Sequence, residues 1–362
     1  MEESQNGVCI RKGVLDMSYQ QPEQLSPHMY HEYLLKNQKK QLAYTDDVDF
    51  EQWRGQVREK LAELLGHTPE RVPANVRIEW EKEHETFTET RFVFDSAPMT
   101  SVPCHLLVPK AVKKPCPVVI CLQGHSSGMH ISLARAKFEN DEKLIADGDR
   151  DFALQAVRQG YAALVMEQRG FGERRSEKKF RRAPDGATTC DVPSSVALLL
   201  GRTMIGERVW DICRLIDVIS EFPQLDPERI GCMGNSGGGT ATYYAACMDE
   251  RIKIAMPSCS VCSLDQSIGI MRHCICNFIP RMAEYFDMGD LSCLIAPRKL
   301  VVVAGEKDVG FLLPGTLDAF GVIQKVYDKA DYPENCRLVL GPEGHRFYGD
   351  LSWPVFRELS GW

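Results

Sequence analysis

From residue 117 onward, short apolar runs alternate with segments of helical period. The runs are PVVICL (117–122), YAALVMEQ (161–168), RIGCMG (229–234), IKIAMP (252–257), KLVVVAG (299–305) and CRLVLG (336–341). A strand that is apolar at every position is buried on both faces, so this rhythm predicts a mostly parallel sheet covered by helices. Between the runs, DRDFALQAVRQG (149–160) reads as a helix closed by Gly160, and GERVWDICRLIDVISEF (206–222) as a second. LDPERI (225–230) reads as a turn that hands the chain to the next strand.

Upstream the pattern differs. HMYHEYLLKNQKKQLA (28–43) and FEQWRGQVREKLAELLGH (50–67) have helical character. The second places Trp53, Val57, Leu61 and Leu64 on one stripe at three- and four-residue spacings. Partial alternation then marks strands in NVRIEWEKEHE (75–85), ETRFVFDSA (89–97) and SVPCHLLVPK (101–110). The expected architecture is therefore α/β, with N-terminal helices and leading strands over residues 1–110 packed on a core of residues 111–362, one compact domain overall.

Composition narrows the function classes. The net charge of -7 disfavours a nucleic-acid binder, which needs a concentrated basic surface. The basic cluster Arg169 to Arg182 is interrupted by Glu173 and Glu177 and reads as a solvated loop or helix face. No apolar run is long enough to cross a membrane. MEESQNGVCIRKG shows no secretory signal, and fourteen cysteines then point to reduced thiols in the cytoplasm. Cys259/Cys262 and Cys274/Cys276, beside His273, lack the spacing of paired zinc knuckles and read as small core hydrophobes, so no metal is expected.

The chemistry gathers around one stretch. Gly234-Asn235-Ser236-Gly237-Gly238 fits G-x-S-x-G between an apolar strand and a helix-compatible segment, the context of a nucleophile elbow. Its bland alternative is a glycine turn with an inert serine. A serine needs a base, and His345 follows the last strand in LGPEGHRFYGD; His273 is its competitor. His28, His31, His67, His84 and His105 read as surface or packing histidines. The acid that orients the imidazole is Asp308, with Glu306 the alternative on the same loop. Oxyanion donors would be the backbone N–H groups of Gly237 and of His125, in CLQGHSSGMH. Met129, His130 and the RGFGERR loop occupy strand-end loops where substrate contacts are expected. Trp210, Phe278, Tyr285 and Phe347 read as core rather than pocket.

Taken together, VVICLQGH, DFALQAVRQGYAALVMEQRGFGER, LLLGRTMIGERVWDICRLIDVI, RIGCMGNSGGG, YFDMGDLSCLIAPRKLVVVAGEKD and GHRF resemble the α/β-hydrolase superfamily, in its dienelactone-hydrolase-like and acetyl xylan esterase-related branch. The resemblance implies an α/β-hydrolase fold and a serine esterase. Ser236, Asp308 and His345 match its triad, and His125 and Gly237 its oxyanion donors. The branch's frequent HGH or HGY loop reads QGH here, with Gln123 at its first position. The implied reaction is hydrolysis of a small-acyl ester, often deacetylation of sugars in the xylan esterase branch; with no export signal seen, a carbohydrate substrate would be a short imported one rather than polymeric xylan. No cofactor, nucleic acid or membrane is implied, and a homo-oligomer stays open. A serine peptidase of this fold is the alternative, although 110 leading residues are too few for a propeller; a catalytically inactive binding protein is another.

Overall fold

The computed structural model describes residues 25–177 and 183–362. Two helices lead the described residues, α1 (Pro27–Asn37) and α2 (Phe50–Leu65). Three strands follow, β1 (Arg77–Glu83), β2 (Phe87–Ala97) and β3 (Thr100–Pro109). The alternating part runs β4 (Cys116–Leu122), α3 (Asp141–Ala146), α4 (Phe152–Arg158), β5 (Ala162–Met166), α5 (Asp191–Leu199) and α6 (Met204–Val218). It continues through β6 (Leu225–Asn235), α7 (Gly237–Met248), β7 (Ile252–Ser258), α8 (Met282–Tyr285), β8 (Lys299–Gly305), α9 (Leu313–Lys329), β9 (Cys336–Gly341) and α10 (Gly349–Ser360).

The nine strands of the described residues form one sheet in the order β1-β2-β3-β5-β4-β6-β7-β8-β9. The strands from β4 to β9 pair in parallel, and β1, β2 and β3 extend the sheet antiparallel at one edge. This is an α/β-hydrolase fold with an N-terminal helical and β-strand extension. Strand periodicity explains how both faces are covered. Val118, Ile120 and Leu122 of β4, with Leu300 and Val302 of β8, pack on one face with Leu61 of α2, Ile212 of α6, Tyr243 of α7 and Ile323 of α9. The intervening Val119, Cys121, Val301 and Val303 point to the other, against Phe152 of α4 and Trp353 and Phe356 of α10.

Local chemistry sets the helix ends. The Asp49 carboxylate accepts from Gln52 N at the start of α2, and the buried stripe is the expected Trp53, Val57, Leu61 and Leu64, with Leu65. Thr203 caps α6 through Gly206 N and also donates to the Leu65 carbonyl at 2.7 Å, tying the end of α2 to the start of α6.

Two boundaries differ from the sequence reading. The first helix stops at Asn37, because the chain then runs extended beside α8, with Gln41 N and Leu42 N donating to the carbonyls of Glu284 and Tyr285. LDPERI is not a free turn but the first half of β6: Leu225 pairs with Cys116, and the register shifts between Cys116 and Val118. The turn signal has a local cause, since the Asp226 carboxylate accepts from Glu228 N at 2.9 Å within this irregular stretch.

The basic cluster is another correction. Arg169 and Arg174 both pair with the Asp211 carboxylate of α6, at 2.8 and 2.7 Å, and Asp211 is fully buried. Arg91 of β2 pairs with Glu173 at 2.7 Å. The loop is thus knitted into the protein rather than solvated; residues 178–182 of the cluster lie outside the described residues. No described helix is long and apolar enough to cross a membrane.

Candidate active site

Ser236 stands alone between the last residue of β6 and the first of α7, at φ 57° and ψ −123°. A non-glycine residue there is strained by about 1–3 kcal/mol, and the surroundings hold it in place. A Cβ on Gly238 would stand 2.2 Å from the Leu122 carbonyl oxygen, and one on Gly234 would stand 2.6 Å from Gly238 C. Glycines therefore let the turn press against the end of β4. From the other side, Ser236 N donates to the Ser258 carbonyl at 2.8 Å, and Asn235 Nδ2 donates to Ser258 Oγ at 3.1 Å. The start of α7 adds the positive end of a helix dipole beside the serine.

Asp308 follows β8, the second strand along the sheet from β6. Its Oδ1 accepts N–H bonds from Gly310 at 2.8 Å and Phe311 at 3.2 Å, while Oδ2 lies 2.7 Å from His345 Nδ1. Burial works against the charge on this carboxylate, but the His345 ring and the two N–H donors outweigh it and hold the acid below its ordinary range. Glu306, on the same loop, is exposed. His345 sits on the loop after β9, its side chain 31% exposed, with Phe311 stacked on it at 6.0 Å. Tyr348 donates to the Gly344 carbonyl at 2.6 Å and steadies that loop.

His125 lies on the loop after β4, its imidazole against Gly237: a Cβ there would be 2.8 Å from His125 Cε1. Among the described residues, no acceptor pairs with the backbone N–H of His125 or of Gly237. Gln123 is buried, and its Nε2 donates to Ser132 Oγ and to the Arg150 carbonyl, both at 2.8 Å. It braces the loop from within.

Other expectations change. Met129 and His130 are buried rather than poised for substrate: Met129 N donates to the Glu167 carboxylate at 3.0 Å, and His130 Nε2 pairs with Asp141 at 2.9 Å. The RGFGERR loop turns Arg169 and Arg174 to Asp211, Arg175 to the Ala187 carbonyl, and its Phe171 into the interior. Of the aromatic residues read as core, Phe347 and Tyr285 are buried, Trp210 is part-buried with Nε1 bonded to the Ser96 carbonyl, and Phe278 is exposed. Among the five histidines read as surface or packing residues, His105 is buried, with Nδ1 hydrogen-bonded to the Glu89 carboxylate at 2.7 Å.

Sequence reasoning missed several neighbours of the site. Phe311 packs between His345 and His273, and His273 Nε2 bonds the Gly310 carbonyl at 2.9 Å, so His273 supports the acid loop instead of competing for the acid. Cys259, at the end of β7, lies with Asp308 and His345. Cys274 and Cys276 converge on His125 and Cys190, not on Cys259 and Cys262. Nothing local in the sequence marks these encounters, because each joins loops from different strands.

Comparisons with known proteins bear on the family and the fold. The chain is 28% identical over 313 residues to the Bacillus subtilis (strain 168) protein named "Putative hydrolase YtaP", covering 85% of this chain and 99% of that relative. Its fold is similar to that of a "putative acetyl xylan esterase" from Bacteroides fragilis NCTC 9343, with a TM-score of 0.76 at 17% identity over 92% of this chain and 95% of the other. A glucuronoyl esterase from Solibacter usitatus matches with a TM-score of 0.66 at 15% identity, over 88% and 96% of the two chains. At such identities the structural likeness speaks for the fold. The sequence match to the Abhydrolase family extends over residues 21–341, and the chain belongs to that family.

Proposed function

We propose that this chain is a serine esterase acting on small-acyl, acetyl-type esters of carbohydrates through Ser236, His345 and Asp308. The observation that carries the reading is the 2.7 Å pair between His345 Nδ1 and a buried Asp308 on the loops after β9 and β8, taken with the strained serine at the start of α7. His345 takes the Ser236 proton, Ser236 attacks the ester carbonyl, and the tetrahedral oxyanion is met by the N–H groups of His125 and Gly237. Asp308 holds the imidazole in the tautomer with a proton on Nδ1 and stabilises its cation. The alcohol leaves with the proton that His345 took from Ser236, and water then releases the acid by the reverse sequence.

The carbohydrate ester is supported by the names of the structural neighbours, acetyl xylan esterase and glucuronoyl esterase, and the hydrolase class by the Bacillus relative. Thirteen described cysteines, all free thiols, fit a reducing compartment such as the cytoplasm. The test is an ester panel of p-nitrophenyl acetate, longer acyl homologues, acetylated xylo-oligosaccharides and a glucuronate methyl ester. Wild type should hydrolyse the acetyl esters fastest and Ser236→Ala should lose several orders of magnitude in kcat with its fold intact. Wild-type turnover by that variant, with no fluorophosphonate labelling of Ser236, would end the proposal. Preference for the glucuronate ester would overturn the substrate class alone.

A further inference from the structure

Behind the loop that carries His125, four donor atoms from three separate segments meet. They are the imidazole of His125, after β4, the thiol of Cys190, just before α5, and the thiols of Cys274 and Cys276, on the segment between β7 and α8. All four lie within 4.8 Å of one another, and His125 Nε2 is 3.2 Å from Cys276 Sγ. Around a tetrahedral zinc ion, with bonds of about 2.3 Å to sulfur and 2.0–2.1 Å to nitrogen, donors stand roughly 3.5–3.8 Å apart. The donors therefore need to move by only about 1 Å or less to close on such an ion. From this arrangement we propose that His125, Cys190, Cys274 and Cys276 bind one thiophilic divalent cation of the zinc class.

Buried cysteines often serve as small hydrophobes, and the neighbouring charge argues against that here. Arg208 of α6 is fully buried, with Nη1 3.2 Å from Cys276 Sγ and Nη2 3.3 Å from Cys190 Sγ. Its remaining bonds go to the Arg169 carbonyl, and Phe171 lies 4.5 Å from the guanidinium carbon. Among the described residues no carboxylate pairs with Arg208. A buried guanidinium without a counter-charge is costly. Three thiolates and one neutral imidazole around a divalent ion carry a net charge of minus one, and Arg208 neutralises it. Aliphatic side chains in place of the thiols would leave the guanidinium unbalanced.

The site is closed, with four protein ligands and no open position, which marks a structural ion rather than a Lewis acid for the substrate. His125 binds it through Nε2, while its ring covers Gly237 and its backbone N–H stays free. The ion thus pins the loop after β4 to the start of α5 and to residues 274–276. The assignment does not rest on the chemistry of Ser236.

The test reads metal, not turnover. Full-length protein is loaded with zinc under reducing conditions, freed of excess by gel filtration and assayed for metal; about one zinc per chain is expected. Cobalt in place of zinc should give the visible bands of a tetrahedral ion with sulfur-to-cobalt charge transfer, a readout that needs no variant. Cys274→Ser, at a half-buried position, and the double variant Cys190→Ser/Cys276→Ser should lose the ion, whereas Ser236→Ala and Cys259→Ser should keep it. Wild type holding less than about 0.1 zinc per chain overturns the proposal. So does full zinc in Cys274→Ser, or loss confined to Cys259→Ser, which would place the ion on Cys259, Asp308 and His345.

Discussion

The imidazole of His125 covers Gly237 so closely that a Cβ on residue 237 would stand 2.8 Å from Cε1 and 2.9 Å from Nδ1. The first residue of α7 therefore has to be glycine if the loop after β4 is to close over the serine. Gly237→Ala should push the ring and its backbone N–H away from the oxyanion position. We expect kcat to fall by about 10²–10³-fold with KM for a small ester little changed, the signature of a lost transition-state donor. Steady-state kinetics alongside circular dichroism would check this; an equal loss in KM alone would mean that the loop only binds substrate.

The acid is tested by a pair of variants on one loop. Asp308→Asn keeps the shape but favours the wrong imidazole tautomer, and kcat should drop by about 10³–10⁴-fold. Glu306→Gln, at an exposed position, should stay within about twofold of wild type. A reversal of the two results would move the acid to Glu306.

Asp211 should be the most sensitive carboxylate for stability. It is fully buried and receives Arg169, Arg174 and, at 2.7 Å, the Ser96 hydroxyl. Asp211→Asn leaves two guanidinium groups without their shared counter-charge and should cost about 3–5 kcal/mol in urea unfolding. A loss no larger than that of an exposed ion pair would show that the network is solvated.

Acid stability follows from the same carboxylate. Burial alone would raise Asp211, but Arg174 and Arg169 outweigh it and hold the acid at about 2; His105 and Arg135 do the same for Glu89, also at about 2. A folded pKa below the unfolded one contributes stability that is present above the unfolded value and lost as pH falls toward the folded one. Thermal melts should therefore hold down to about pH 4–5 and fall steeply between pH 4 and pH 2. A flat profile across that interval would contradict the pairing.

Glu167 has the opposite sign. Burial pushes its carboxyl up to about 7, against the N–H bonds from Met129 and Glu173. Here the folded state binds the proton more tightly, so stability falls as pH rises from about 4.5 to 7, by about 3 kcal/mol at most. Glu167→Gln should flatten that decline in melting temperature, whatever its effect on the absolute value. An unchanged slope would mean that the carboxylate is charged throughout.

Strand and helix positions were legible in the sequence because they depend on local period. The unbroken apolar runs of β4 and β8 and the Trp53–Leu64 stripe of α2 each state which faces must be buried, within a dozen or so residues. The serine motif was legible because its glycines and serine are adjacent in sequence, although part of the crowding that demands Gly234 and Gly238 comes from Leu122 at the end of β4. The sequence by itself also put Ser236, Asp308 and His345, in that order, each after an apolar strand run. Only the tertiary structure decided that Asp308, not Glu306, meets His345, because two carboxylates two residues apart differ in direction and not in chemistry. It also turned His130 inward to Asp141, drew Arg169 and Arg174 onto Asp211, and assembled Cys190, Cys274 and Cys276 around His125. Those pairings span from 11 to 151 residues of sequence, and burial, which no local pattern encodes for a polar side chain, selects them.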